Sequence, residues 1–394
     1  MIIELIIALF AGVTIGTITG LFPGIHINLV SSLLIFNLSA LSIFRPISLV
    51  IFIVSMSVTH IFLDFVPSIY LGAPDDSGLS TMPGHSMLLE GKGHEAVCLT
   101  LYGALFGIIA SIILSIPLAF ALPKVYPFLE KMMGWLLIVA SCFIIYQEKN
   151  SRLHAGLIFL LSGFLGLATF SLNFSQPLLP LLSGLFGSSS LINSLSKKTK
   201  IPQQNINFKI DENFTKPALA SSFISPVCAF LPGMGGSQAA VLSSGISKPT
   251  KKQFLFIIGS VNSIVMILSF LAIYSINKAR TGSAAAIQKI LSLSYSHLIT
   301  IFLVSIIVSI IAFLVAIKTS KLFARTVNKI NYSLISAVVL IILSLAVLIF
   351  SGILGFLVFI ASTILGLLAI ELNIRKGNLI ACLIVPTILY YLPF

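Results

Sequence analysis

The stretch "FLFIIGSVNSIVMILSFLAIY", Phe254–Tyr274, decides the fold class. It runs 21 residues without a charge, and about 20 apolar residues cross the hydrocarbon core of a bilayer as a helix. "LITIFLVSIIVSIIAFLVAI", Leu298–Ile317, repeats the pattern, and similar runs recur along the 394 residues. The chain is 57% hydrophobic and 9% charged, a balance that cannot cover a soluble surface. The expected fold is an all-α polytopic membrane protein.

The first ten residues, "MIIELIIALF", carry Glu4 and no basic segment, so they do not read as a cleaved signal peptide. A net charge of +12 suggests nucleic acid in a soluble chain; here the basic residues fall in short loops, the positive-inside pattern. Cys98, Cys142, Cys228 and Cys382 lack paired spacing and read as buried, unbridged thiols. No metal site and no cofactor are expected, and no phosphate-binding P-loop is present.

One long polar stretch, Asn193–Pro217, separates a first membrane repeat (1–192) from a second (218–394). The halves share features in the same order: "LFPGIHIN" with "FLPGMGGSQ", "SVTH" (Ser57–His60) with "SVNS" (Ser260–Ser263), and "YLGAPDDSG" with "YSINKARTG". Spans are expected near 47–71, 96–121, 132–147, 154–172 and 175–190, then 253–276, 297–318, 333–350, 352–371 and 378–394. A re-entrant hairpin broken at Pro-Gly precedes each set. With a cytoplasmic linker, Lys149, Arg152, Lys248, Lys251, Lys252, Lys318, Lys321, Arg325, Lys329, Arg375 and Lys376 fall inside. Arg45, Lys124, Lys131, Lys278, Arg280 and Lys289 fall outside, with both termini. Five spans per half make the repeats inverted, a recurrent transporter plan. The expected location is the cell membrane.

The two breaks carry the chemistry. Proline removes an amide donor and glycine tolerates unusual dihedrals, so a helix ends there. In lipid, the freed backbone groups must line a cavity or be buried in protein. Asn28 and Ser237 are placed to cap the helices that restart, whose amides and positive dipole ends attract carboxylate or phosphate oxygens. Pro23, Gly24, His26 and Asn28, with Pro232, Gly233, Gly235, Gly236, Ser237 and Gln238, are the expected substrate contacts.

A third Pro-Gly, Pro83-Gly84, followed by His85, reads as a loop dipping back toward the cavity; Glu90 to Glu95 read equally as solvated. Asp75 and Asp76 are candidate cation or proton ligands. His60 and Asp64 lie one turn apart on one helix face. They read as a structural pair or as a proton relay, because ionisable groups inside a membrane point to function. Asn262 extends the polar cavity, and Lys278 and Arg280 are auxiliary anion contacts or interfacial anchors.

No catalytic residues are expected. "HEAVC" at His94 lacks the second histidine of the zinc motif, and Asp75-Asp76 lacks the motif pair of intramembrane aspartyl proteases.

"GTITGLFPGIHIN", "MPGHSMLLEGKGHEAVCLTLYGALFG", "AFLPGMGGSQAA" and "RKGNLIACLIVP" resemble the large permease subunit of tripartite tricarboxylate transporters, in particular its short stand-alone members. The resemblance implies proton- or sodium-driven carboxylate uptake, with an extracytoplasmic binding protein and a small membrane subunit as partners. His26 and Asn28 depart from the small residues that often stand there. More distantly, the paired Pro-Gly loops resemble those of polyprenyl-phosphate translocases. The expected function is secondary transport of an organic anion; the alternative is translocation of a lipid phosphate. The bilayer and a homodimer are admitted as further partners, nucleic acid is not.

Overall fold

The computed structural model describes residues 2–22, 43–71, 81–146, 148, 151–196, 201–231, 234–327 and 332–392. It is 86% helical, with no strand among those residues and seven helices long and apolar enough to span a membrane. The protein is an all-α, multi-pass membrane protein.

Helix α1 (Ile2–Leu21) lies directly on α2 (Pro46–Leu71). A methyl group on Gly12, Gly16 or Gly20 would meet the carbonyl oxygen of Phe52, Met56 or His60 at 2.5, 2.5 and 2.8 Å. Small residues at four-residue spacing thus bring the two backbones together, as membrane packing favours. Both helices start at one level, where Glu4 accepts from Ser48 Oγ at 2.7 Å and pairs with Arg45 at 3.5 Å. α1 ends beside His60 and Leu63, well short of the end of α2.

α3 (Thr81–Leu89) and α4 (Gly93–Tyr146) complete the first run. The spans expected at 96–121 and 132–147 lie in one helix of 54 residues, which passes through Pro117, Pro123 and Pro127. Each proline removes a single hydrogen bond, and helical neighbours on either side keep the rest. At about 80 Å if straight, the rod is more than twice the thickness of a hydrocarbon core.

After α5 (Arg152–Ser171), α6 (Leu178–Leu182) runs into a π-helical turn, Ser183–Ser188, and then α7 (Ser189–Ser196). From residue 201 onward the linker is docked. Gln204 accepts from Gly93 N at 2.8 Å and donates to Leu88 O at 3.0 Å, and Asn205 N donates to Gly91 O at 2.8 Å.

α8 (Thr215–Phe230) and α9 (Gly236–Ser247) form a hairpin. Ser243 of α9 reaches back to Ala220 O of α8 at 3.4 Å. Its outer ends both meet the linker region, since Thr250 Oγ1 donates to Glu212 at 2.7 Å. Helices of 16 and 12 residues are about 24 and 18 Å long, shorter than the hydrocarbon core of about 30 Å.

α10 (Lys251–Ile276), α11 (Gly282–Ile290) and α12 (Tyr295–Thr326) follow. Their order and lengths parallel α2 and α3: 26 residues for α2 and α10, nine for α3 and α11. Each 26-residue helix packs on the long helix of the other half. Gly107 of α4 sits against Ser260 and Ser263 of α10, and Tyr70 of α2 donates to Ser320 O of α12 at 3.1 Å. α2 ends at the face where α10 begins: Tyr70 touches Gly93, and the adjoining Glu90 pairs with Lys251 at 3.2 Å.

α13 (Tyr332–Glu371) breaks at Gly352, whose φ of 67° suits glycine, between the spans expected at 333–350 and 352–371. A 3₁₀ turn (Lys376–Ile380) leads into α14 (Ala381–Tyr391). All four cysteines are free; three are buried, but Cys142 is exposed on α4, against the expectation of burial.

Candidate functional site

The second break is the best-defined part of the site. α9 starts at Gly236, one residue before the expected cap, and Gly235 takes that place. The reason is local: Gln238 Oε1 accepts from Gly235 N at 2.8 Å, closing the first turn from inside the helix. Gln238 is 2% exposed, and its Nε2 finds no hydrogen-bond partner among the described residues. Ser237 is buried beside it. Gly236 is pressed against the side chain of Asn262, leaving no room for a Cβ. Asn262 stands near the middle of α10, so the start of α9 and a buried carboxamide meet at mid-depth.

A second polar node joins the halves. Ser57 of α2 donates to Ile53 O at 2.6 Å, and its Oγ lies 2.6 Å from Ser283 Oγ at the start of α11. Thr281 caps α11, accepting from Ala284 N at 3.2 Å, and meets Ser269 of α10 at 3.0 Å. Both serines and Ser269 are fully buried. Neutral hydroxyls thus line the meeting of α2, α10 and α11.

His60 is buried, with Nδ1 3.1 Å from Thr19 Oγ1 of α1; Asp64 lies a turn further and is half-buried. The third Pro-Gly departs from expectation. Pro83 and Gly84 lie in the first turn of α3, a regular helix, not in a dipping loop. The first four amides of a helix have no partner within it, so proline is tolerated there. Gly84 packs on Ile69, and His85 is half-buried.

The stretch from Glu90 to Glu95 is only partly solvated. Glu95 and Lys252 pair at 2.6 Å, while His94 is buried with Nδ1 2.8 Å from Ser320 Oγ. Lys252 also holds Asp211 of the linker at 2.6 Å, and this ammonium keeps the carboxyl of Asp211 below its ordinary range. Glu90 is lowered likewise by its bond from Lys251.

Lys278 and Arg280 stand past the end of α10, away from the linker. Lys278 pairs with Glu130 at 3.3 Å, which raises its ammonium above the ordinary range. Arg280 donates to the Tyr126 hydroxyl, its guanidinium 5.3 Å from that ring's centre. Pro23, Gly24, His26, Asn28, Asp75, Asp76, Pro232 and Gly233 lie outside the described residues. Among the described residues, no cluster of His, Cys, Asp or Glu could hold a metal ion.

Ser283, Ser269 and Thr281 escape a reading that searches for ionisable groups, because serine and threonine are common in membrane helices. Lys376, expected as a cytoplasmic loop cation, is buried instead.

An uncharacterized protein of Methanocaldococcus jannaschii is 33% identical over 398 residues, covering 98% of each chain. No solved structure matches at a significant level. The model of the tripartite tricarboxylate transporter TctA family matches residues 6–381, in agreement with the resemblance carried by the Pro-Gly and "EGKGHEAV" motifs. The chain belongs to the tripartite tricarboxylate transporter TctA family.

Proposed function

We propose that this TctA-family membrane transporter component carries an organic anion of the carboxylate class, held between its two Pro-Gly breaks and driven by a proton or sodium gradient. The observation that carries the reading is Gln238 Nε2, a buried donor without a partner among the described residues, in the first turn of α9, the helix whose start meets Asn262. A carboxylate there gains amide donors from the helix start and the carboxamides, with no buried lysine required.

The transport mechanism follows from a duplicated chain, with 1–192 and 218–394 as inverted repeats about a cytoplasmic linker. Equal helix lengths, the crossed packing of α2 and α10, and the meeting of the end of α2 with the start of α10 support that reading. The α8–α9 hairpin, too short to cross, is re-entrant, and the Pro23-Gly24 segment is its counterpart. An extracytoplasmic binding protein and a small membrane subunit are the partners that the family suggests.

The test is uptake of radiolabelled citrate and of mono- and dicarboxylates into proteoliposomes under imposed proton or sodium gradients. Accumulation of at least one carboxylate is expected, with loss in Gln238→Leu. Absence of all uptake, together with saturable binding of a polyprenyl phosphate, would replace the carboxylate with a lipid phosphate.

A further inference from the structure

Lys376 opens the 3₁₀ turn before α14 and is 6% exposed. Its Nζ donates to Phe186 O, in the π-helical turn, at 3.2 Å and to Ser190 Oγ of α7. π-turns free a backbone carbonyl and recur at functional sites. No carboxylate lies within salt-bridge distance of Lys376 among the described residues. A buried ammonium without a counter-charge is costly.

Donor arithmetic makes the site more specific. Two acceptors satisfy both hydrogens of a neutral amine, whereas an ammonium carries a third that needs another acceptor. Asn378, 1% exposed, holds an Oδ1 with no donor among the described residues. Its Nδ2 donates to Arg375 O at 3.2 Å and to Glu148, which also accepts from Arg375 N at 3.0 Å. The two acceptors thus satisfy the amine as it stands, and protonation calls for a shift that brings a third acceptor to Nζ.

That shift has an address. The neighbouring Gly377 abuts α9, where an added methyl would lie 3.3 Å from Val241 Cγ2. α9 is the helix that begins at the Pro-Gly break. The other charged groups near Lys376 are few. Glu148 and Arg375 flank it; α13 offers Glu371, and α5 offers Arg152 and His154. The π-turn, α9, α14 and the last turns of α4 carry no Asp, Glu, Lys, Arg or His.

We propose that Lys376 is a proton-binding site of this transporter, its protonation passed through Gly377 to α9 and so to the substrate break. The proposal deepens the transport reading by assigning the coupling ion as a proton, and it rests on that reading for its use in transport.

The test needs no substrate. A nitroxide is attached at Ser244→Cys on α9, in a background without native cysteines, and its mobility is followed from pH 6 to 10 in nanodiscs. The unmodified Lys376 background should show a one-proton step. Lys376→Met should lose it and hold the alkaline spectrum, and Lys376→Arg should lose it and hold the acid one. A step that survives both substitutions, or no step with Lys376 present, overturns the proposal. If Lys376→Met does not fold, Lys376→Arg decides alone, by loss or survival of the step. Failure of carboxylate uptake leaves this measurement intact, so the two readings fail separately.

Discussion

Ser57 and Ser283 come from opposite halves of the chain, and their hydroxyl oxygens lie 2.6 Å apart in a fully buried seam. The bond ties α2 to the start of α11, next to Thr281 and its contact with α10. Three elements that must keep register around the site are therefore joined by neutral hydroxyls, whose bonds can be exchanged without moving a charge through the membrane.

Ser57→Ala and Ser283→Ala should each destabilise the protein by about 1 kcal/mol, the usual net value of one hydrogen bond. The double variant should cost less than the sum, by about 0.5 kcal/mol or more. Denaturant unfolding in mixed micelles measures the cycle; strict additivity would mean that the hydroxyls do not interact.

Gly236→Ala places a methyl group against Asn262, and the start of α9 must move. Uptake should fall roughly tenfold or more, because misplacement of an oriented site by about 1 Å is costly. Shortening the opposing side chain in Gly236→Ala/Asn262→Ala should restore part of the uptake. No rescue would show that Asn262 matters for its own hydrogen bonds.

Gly16→Val should destabilise the pairing of α1 with α2. Its Cβ alone would lie 2.5 Å from Met56 O, and overpacking of this kind costs about 1–3 kcal/mol. A drop in thermal midpoint without change in oligomeric state checks it.

The linker should loosen in acid. Lys252 lowers the folded-state pKa of Asp211, so this ion pair stabilises docking fully above the ordinary carboxylate range. The contribution is lost as pH falls through the lowered value. Proteolysis of the linker by an acid-active protease should accelerate over that window, and Asp211→Asn should flatten the pH dependence. A profile unchanged by Asp211→Asn would assign docking to the linker's other contacts, such as those of Gln204, Asn205 and Glu212.

Much of the fold was legible because lipid imposes one solution: long apolar runs such as Phe254–Tyr274 become helices. The break at Gly352 falls where the spans expected at 333–350 and 352–371 meet, and the restart near Gly236 followed from residue type. Helix continuity through Pro117, Pro123 and Pro127 did not, since local propensity for a break is overridden by intact turns on both sides. The identity of a polar residue did not disclose its burial. Lys376 stands beside exposed Arg375 in the sequence, yet packing of the π-turn decides that only one of them meets water. Pairs such as Ser57 with Ser283 depend on contacts across 226 residues, which no local pattern encodes.

The crossed packing of α2 and α12 also bears on how the protein is made. Tyr70 finds Ser320 only after 250 further residues have been synthesised, and α4 likewise precedes its neighbour α10. Until then Tyr70, at the end of α2, lacks its final partner, while His60 already has Thr19 of α1 beside it. The insertion machinery must shelter a half-finished polar helix through most of translation, so truncated chains ending before α12 should be cleared by membrane proteases.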